Sequence, residues 1–390
     1  AKDMLTNFSN DPLTFNTKLT IDWILKHHNS NKVAADLKEF LIMGTTTRNL
    51  SDINIHLKLE SLLKTLVIKT LMQQQPRSIM WQNYFVAAIF SPVFMEVKRR
   101  LKMLFNHKII YADGMTPEQI QIQLSNKNGV KYIFENDLEK QDRQTDQPLI
   151  EVELSLYKSL GVHDDVLKLW QTVHEVWRFK SKYDWGFCES MRTTGQATTS
   201  LGNGINNLQV HAEFITAHQE DLVYYLFTGD DNNDGFRNKP NIENLEANIA
   251  VNFNMKSESK LSNLEGAFCC FLTIIKDGKP RLVPDLKRLR HRYEVPNGVS
   301  EVTPENMKLR RLSYAIMLGP IKGVKELVEQ THPTLELKAW YELQDALDAT
   351  AAHYETTTED IINDISLLQE MLTKNEIKEH SWTTIMSKRV

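Results

Sequence analysis

Cysteine is scarce in this chain, three residues in 390, and their positions exclude more than their number does. Cys188, Cys269 and Cys270 form no Cys-x-x-Cys pair, so neither a zinc ribbon nor a thiol redox motif is encoded. Adjacent cysteines rarely bridge one another and the count is odd, so no disulfide framework is expected and the compartment is a reducing one. Long apolar runs are missing too. The most apolar stretch, Phe85 to Met95, falls far short of the roughly 20 residues of a membrane-crossing helix, so no transmembrane segment of its own is expected. Internal repeats and low-complexity tracts are absent, which argues against a solenoid. The chain opens Ala-Lys-Asp-Met, without an initiator methionine or signal peptide, as expected of a piece processed from something longer.

What is present is an ordinary globular composition, 41% hydrophobic and 25% charged, in a chain long enough for two or three lobes. The net charge of -4 conceals two compact basic clusters, Lys98-Arg99-Arg100-Leu101-Lys102 and Lys287-Arg288-Leu289-Arg290-His291-Arg292. Gripping phosphates needs a basic groove and not a basic total. Solvated helix faces are the plainer reading of such runs.

Taken in order, residues 1 to about 75 read as mixed and mostly helical, with a break at Gly44-Thr45-Thr46-Thr47. Asn83 to Phe105 reads as an apolar segment broken at Pro92 and running into a basic helix. Thr116 as N-cap and Pro117 at the first helical position predict a helix over 117–125. Lys131 to Asn136 is strand-like and delivers Asp137. Val166, Leu169, Trp170, Val173 and Trp177 recur at helical spacing, and Tyr183 to Thr194 reads as turn-like. A helix reaching about Ala217, a helix over 240–248, a strand over 249–253 and a hairpin from Gly266 to Val283 follow. From about Asp285 the pattern is helical, and Thr356-x-x-Glu359 reads as a capping box.

Between these elements lies Leu222 to Gly235, Leu-Val-Tyr-Tyr-Leu-Phe-Thr-Gly-Asp-Asp-Asn-Asn-Asp-Gly. It reads as a buried strand that ends in a tight reversal at Gly229 and carries Asp230 and Asp231 to a hairpin tip. Adjacent carboxylates repel unless a cation lies between them, so the tip is either a divalent-metal site or a solvated turn. Asp230-x-Asn232-x-Asp234-Gly235 also satisfies the start of an EF-hand calcium loop. Its twelfth position, however, is Asn241 in place of Glu, after Pro240.

Several separated stretches, in this order, resemble the polymerase domain of positive-strand RNA virus replicases of the alphavirus-like superfamily, which includes tobamovirus-type enzymes. Asp137-Leu-Glu-Lys-Gln-Asp142 resembles motif A, D-x(4)-D. Thr194-Gly195-x(3)-Thr199-x(3)-Asn203 resembles motif B, with Asn207 where a further Asn is common. Gly229-Asp230-Asp231 is similar to motif C. Phe268-Cys269-Cys270 with Pro284-Asp285-Leu286-Lys287-Arg288-Leu289 resembles the primer-grip hairpin, and Ala87 to Phe94 a finger segment. The likeness spans roughly residues 58 to 290. The chain departs from the family in lacking its tighter lysine-proline finger pattern, in Asn232 to Gly235 for the usual Ser-Leu, and in Cys-Cys for Cys-Gly.

The resemblance implies an α+β right-hand polymerase whose palm is a small antiparallel sheet with flanking helices. Fingers would come from 1–130 and 150–190, palm from 131–149 and 191–285, and a helical thumb from 286–390. It implies RNA-directed RNA synthesis from ribonucleoside triphosphates for viral replication and transcription, with Mg2+ as cofactor or Mn2+ in its place. Asp137 and Asp230 are implied as bridging metal ligands and Asp231 as auxiliary. Asp142 and Asn203, with Thr199, would read the ribose 2'-hydroxyl; such a group is best selected by buried polar partners that its absence would strand. Gly195 would let the motif B backbone approach the template. Lys256, with Lys260 as competitor, is the implied general acid to pyrophosphate, and Lys64, Lys69 and Arg77 are candidates for holding the triphosphate. Lys287, Arg288, Arg290 and Arg292, with Arg310 and Arg311, would line the exit of the product duplex. Implied partners are RNA template and product and other replicase domains such as helicase and capping functions. The implied location is the host-cell cytoplasm, in replication complexes held at membranes through those partners. A reverse transcriptase sharing the palm, a calcium-binding module and an inactive RNA-binding homologue remain as alternatives.

Overall fold

The computed structural model describes residues 2–27, 35, 38, 50–57, 78–82, 84–180, 185–189, 192–294, 304–319, 326 and 339–373. Two compact units divide the chain, one drawn from 1–58, 74–115 and 127–263, the other from 59–73, 116–126 and 264–390. The break at Gly44 to Thr47 lies outside the described residues.

In the first unit the strands are β1 (Asp52–Leu57), β2 (Ser78–Gln82), β3 (Ile109–Tyr111), β4 (Tyr132–Leu138), β5 (Val176–Lys180), β6 (Trp185–Glu189), β7 (Leu222–Thr228), β8 (Asp231–Phe236) and β9 (Ser257–Ser262). They form a four-stranded sheet in the order β2-β1-β5-β6 and a five-stranded sheet in the order β3-β7-β8-β4-β9. In the larger sheet only the β3–β7 pairing is parallel. β7 is buried from Leu222 to Phe227, which explains why it reads as an unbroken apolar run. β8 is the less expected strand. Asp-Asn-Asn-Asp-Gly-Phe is a string of turn-type residues, yet it is buried from Asn232 to Phe236.

Paired side chains make that burial tolerable. The Tyr224 hydroxyl donates to Asn233 Oδ1 at 2.9 Å, and Asn232 Nδ2 donates to Asp234 Oδ2 at 3.0 Å. Burial also holds the Asp234 carboxyl well above the usual carboxylate range. A calcium loop would need Asn232 and Asp234 both to present oxygens to one ion; here both are buried in an inner strand, and the Asp234 carboxylate is met by the Asn232 amide nitrogen.

The core of this unit packs the helices Tyr84–Leu104, Gln147–Ser159, Asp164–Glu175 and Thr199–Ala217 with the sheet. Trp170 lies 4.6 Å from Phe90 and 4.9 Å from Phe94 between ring centroids. Pro92 does not break its helix, which runs through it from Tyr84 to Leu104. Phe85, Val86, Phe90, Val93, Phe94 and Val97 are all buried along it, and that packing outweighs the one missing N–H. Much of the basic cluster on the same helix is spent within the protein, although Arg99 is exposed. Arg100, 2% exposed, donates to the main-chain oxygens of Leu160 at 2.9 Å and Asp11 at 2.8 Å, while Lys98 pairs with Asp113 at 2.9 Å.

Three other expectations shift. Trp177 belongs to β5 and not to the preceding helix, and sits in a small core with Ile53 and Val173. Trp185–Glu189, read as turn-like, is the edge strand β6. Residues 245–253 form one helix, Leu245–Phe253, in place of a helix and a strand. Leu245, Ile249 and Phe253 recur every fourth residue, and Val251 is exposed, so the helical period prevails over the alternating one. β9, Ser-Glu-Ser-Lys-Leu-Ser, is a polar edge strand with no apolar alternation to announce it.

The second unit holds the sheet β10 (Glu265–Phe268), β11 (Phe271–Lys276) and β12 (Lys279–Pro284), one strand more than a hairpin. Helix Pro117–Ser125 belongs here, with both halves of a capping box between Thr116 and Gln119; Gln121 Oε1 accepts from Leu282 N of β12 at 2.6 Å. The helices Leu286–Glu294, Pro304–Met317, Leu343–His353 and Thr358–Thr373 complete it. Leu286 and Leu289 share its core with Ile361, Ile365, Leu368 and Leu372. The cap of the last helix is one residue later than expected: Thr357 Oγ1 accepts from Asp360 N at 3.1 Å, because Asp360, not Glu359, stands at the third helical position.

Candidate active site

β7 and β8 meet at Gly229-Asp230, with Thr228 opposite Asp231 as the last pair of the ladder. Gly229 adopts φ +56°, a conformation cheap only for glycine, so the reversal is completed in two residues. β4 lies against the other side of β8, with Phe134 opposite Asp234. Asn136 N donates to Asn232 Oδ1 at 3.2 Å, and Asp137 follows. The sheet therefore delivers Asp137 to the end at which the Asp230-Asp231 turn projects.

The carboxylates share one field. Asp230 reaches solvent at the turn, but enough protein crowds its carboxylate for desolvation to be the first cause of a pKa pushed up to about 6, with the negative charges of Asp231, Asp142 and Asp137 adding to it. Such repulsion is what a hard divalent cation relieves, and an all-carboxylate donor set suits magnesium or manganese. Among the described residues, no three His, Cys, Asp or Glu side chains converge on one coordination point.

A second group faces the same region. Asp142 lies in the short helix Gln141–Gln144, and Asn203 Nδ2 donates to its Oδ1 at 2.7 Å. Gln141 Nε2 fixes the Asn203 main chain at 3.0 Å. Asn203 is 6% exposed, and its Oδ1 has no hydrogen-bond partner. Thr199 starts the helix Thr199–Ala217, accepting from Gln196 N at 3.0 Å and donating to Thr193 O at 2.8 Å. Arg192 supports this loop from below. It pairs with Glu153 in the buried interior and reaches Thr198 O at 3.4 Å. A Cβ at Gly202 would lie within 2.5 Å of its guanidinium. Burial lowers the Arg192 pKa to about 10, against the opposing pull of the Asp142 charge.

Asp137 and Lys256 line one cleft of about 630 Å³, with Glu139, Glu246 and Glu258. Lys256 is exposed, and its main chain is held by Glu139 N donating to Lys256 O at 2.9 Å and Lys256 N donating to Gln144 Oε1 at 3.0 Å. Lys260, its competitor, instead pairs with Glu135 at 3.5 Å across the β4–β9 ladder.

The model of the RNA-dependent RNA polymerase family matches residues 4–296, more than half of the chain. The chain belongs to this family. Its relatives include the replicase large subunit of Pepper mild mottle virus (strain Spain), 27% identical over 207 residues, 51% of this chain and 12% of that protein. The replicase polyprotein 1ab of Beet yellows virus (isolate Ukraine) is 25% identical over 161 residues, 40% of this chain and 5% of that protein. The matches thus span a small fraction of these relatives' own length. Among solved structures, an insertion-loop deletion mutant of the RNA-dependent RNA polymerase of a human picorbirnavirus superposes with a TM-score of 0.57 at 12% identity, over 93% of this chain and 81% of that one; at such identity the likeness is one of fold.

Other expected site residues of this polymerase stand differently. Lys64, Lys69 and Arg77 lie outside the described residues. Gly195 has a reason to be glycine within the protein itself: its N donates to Met80 O at 2.8 Å, and a Cβ there would lie 2.4 Å from Trp81 Cβ. The cations of Leu286–Glu294 are half-buried and engaged. Arg290 pairs with Asp364 at 2.5 Å and with Glu294 at 3.2 Å, Arg292 reaches Cys270 Sγ at 2.9 Å, Arg288 donates to Cys269 O, and Lys287 Nζ sits 4.9 Å over the Tyr354 ring. Arg310 donates to Arg292 O and lies 5.5 Å over Tyr293.

Residues that sequence reasoning passed over stand behind the carboxylates. His211 and Tyr225 both meet Asn207 there. The signal was available: Thr199, Asn203, Asn207 and His211 recur every fourth residue, a polar stripe along one face of the helix.

Proposed function

We propose that this polymerase domain performs template-directed RNA synthesis, joining a ribonucleoside triphosphate to an RNA 3'-hydroxyl with release of pyrophosphate. The observation that carries the reading is the sheet register, in which β4 lies beside β8 and brings Asp137 to the end where the Asp230-Asp231 turn projects: residues far apart in sequence present negative charge to one another there. Asp137 and Asp230, with Asp231 beside them, would hold magnesium or manganese. Bound there, the ions supply positive charge to the triphosphate and to the attacking oxygen. Lys256, on the cleft shared with Asp137, would give a proton to the departing pyrophosphate. Asp142 and Asn203 would take the ribose 2'-hydroxyl; the unpartnered Asn203 Oδ1 is an acceptor whose unmet bond that donor would satisfy, which favours RNA over DNA synthesis.

In the right-hand description, the five-stranded sheet and the Thr199–Ala217 helix would be palm, the four-stranded sheet fingers, and the helices after residue 286 thumb. Lys64, Lys69 and Arg77 stay as candidates for the triphosphate. The relatives are long replicases, so the domain would act beside helicase and capping domains, in the cytoplasm at membranes bound through them. No helix among the described residues is long and apolar enough to cross a membrane.

Primer extension on an RNA template, with and without magnesium, tests the assignment. Wild type should extend only with the ion, and Asp230→Asn should lose at least about a hundredfold in rate, as expected when charge complementary to the reaction is removed. Equal rates would defeat the carboxylate assignment.

A further inference from the structure

We infer that Tyr225 and His211 are positioning residues for the paired carboxylates, acting through Asn207; the inference rests on the roles proposed for Asp137 and Asp230. Asn207 Nδ2 donates to the main-chain oxygen of Asp230 at 2.9 Å, so the turn carrying that carboxylate is held by one side-chain amide. The amide is itself oriented from behind. Tyr225 donates its hydroxyl hydrogen to Asn207 Oδ1, which fixes which end of the amide faces the turn. His211 Nδ1 lies 2.8 Å from Asn207 O and 3.2 Å from Asn207 Oδ1; facing two acceptors, Nδ1 carries the ring proton.

The other face of the imidazole reaches the second carboxylate's strand. His211 Nε2 is 3.1 Å from the Asn136 side-chain oxygen, and Asn136 Nδ2 is 2.9 Å from Ser259 Oγ of β9. A neutral ring accepts at Nε2 once that amide turns its nitrogen to the ring and its oxygen to the serine hydroxyl. Asn136 directly precedes Asp137. One connected set of hydrogen bonds thus ties the Asp230 main chain and the side chain of Asn136, the residue before Asp137, to a single face of one helix.

Asn207, His211 and Tyr225 are fully buried and Asn136 is 2% exposed, so none of them touches a substrate. Fold stability alone would be served as well by apolar packing here, since buried polar groups gain little net stability even when all are paired. What such a network supplies is a fixed orientation. Carboxylates that repel one another move apart unless held, and a misplacement of about 1 Å far from the reacting atoms can lower a rate about a hundredfold.

Tyr225→Phe in the full chain removes one oxygen and leaves the ring in place. Tyr224→Phe is its control: the neighbouring residue is equally buried, and its hydroxyl donates to Asn233. Both variants should lose similar thermal stability. Tyr225→Phe should lower kcat about tenfold with nucleotide KM within twofold of wild type, and should weaken binding of Mn2+ alone several-fold, read from the free-ion electron paramagnetic resonance signal without RNA or nucleotide. Tyr224→Phe should match wild type in both readouts. In an Asn207→Ala background, Tyr225→Phe should add nothing; full additivity would overturn the route through Asn207. Tyr225→Phe and Tyr224→Phe behaving alike in kcat and Mn2+ binding would overturn the inference outright. Asp230→Asn, run alongside, separates the two failures: if it is inactive while Tyr225→Phe is silent, only the positioning role falls, and if it is active the carboxylate assignment falls first.

Discussion

At the scale of single residues, the pair Asp142 and Asn203 makes the sharpest chemical commitment. Asn203 spends its amide nitrogen on Asp142 at 2.7 Å and leaves Oδ1 buried and unpartnered. An unmet buried acceptor costs about 1 to 3 kcal/mol, and a ligand hydroxyl that meets it recovers much of that. A ribose 2'-hydroxyl can; a deoxyribose cannot. Asn203→Ala should therefore cut the preference for ribo- over deoxyribonucleotides about tenfold or more, mainly by lowering kcat/KM for the ribonucleotide. Competing single-nucleotide incorporation measures it, and a ratio within twofold of wild type would remove the pair from sugar recognition. The same measurement addresses the reverse-transcriptase alternative, whose product would be DNA.

At the scale of elements, the carboxylate turn and the helix Pro117–Ser125 were legible because each has a strong local cause. β7 is a continuous apolar run, Gly229 permits the reversal, and Thr116-Pro117 fixes a helix start. β8 and β9 were not legible. Asn232, Asn233 and Asp234 carry no apolar pattern, and only the partners met after folding, such as Tyr224 on Asn233, make an inner strand of them. The basic helix Leu286–Glu294 can be read two ways: its charge run invites a phosphate reading, while Arg290 already pairs with Asp364 and Glu294. Losing that half-buried, charge-assisted contact should cost about 2 kcal/mol. Arg290→Ala should accordingly lower the melting temperature by several degrees and leave unchanged the slope of log RNA affinity against log salt. A slope shallower by about one, with unaltered melting, would instead make Arg290 a phosphate contact.

At the scale of the whole molecule, the buried histidines make stability depend on pH in a direction that can be worked out. Burial lowers the His211 pKa from an ordinary 6.5 to about 4, against the raising effect of its bond to the Asn207 main chain; burial lowers that of His174 as well. A depressed pKa means that the unfolded chain takes up the proton first as pH falls. The contribution of His211 is complete above about pH 6.5 and is lost progressively toward pH 4, on the order of 3 kcal/mol in all. Asp230, whose pKa is raised to about 6, acts in the opposite sense, so the wild-type profile alone is a mixture of the two. The difference between wild type and His211→Gln cancels the shared terms. Glutamine keeps a polar side chain at the position but has no proton to gain. The variant should be less stable at pH 8, and its deficit should shrink as pH falls from 6.5 toward 4, measured by urea denaturation across that range. A deficit that stays constant with pH would mean that the ring behind Asn207 is not held neutral, and the hydrogen-bond directions drawn from it would have to be reversed at Asn136.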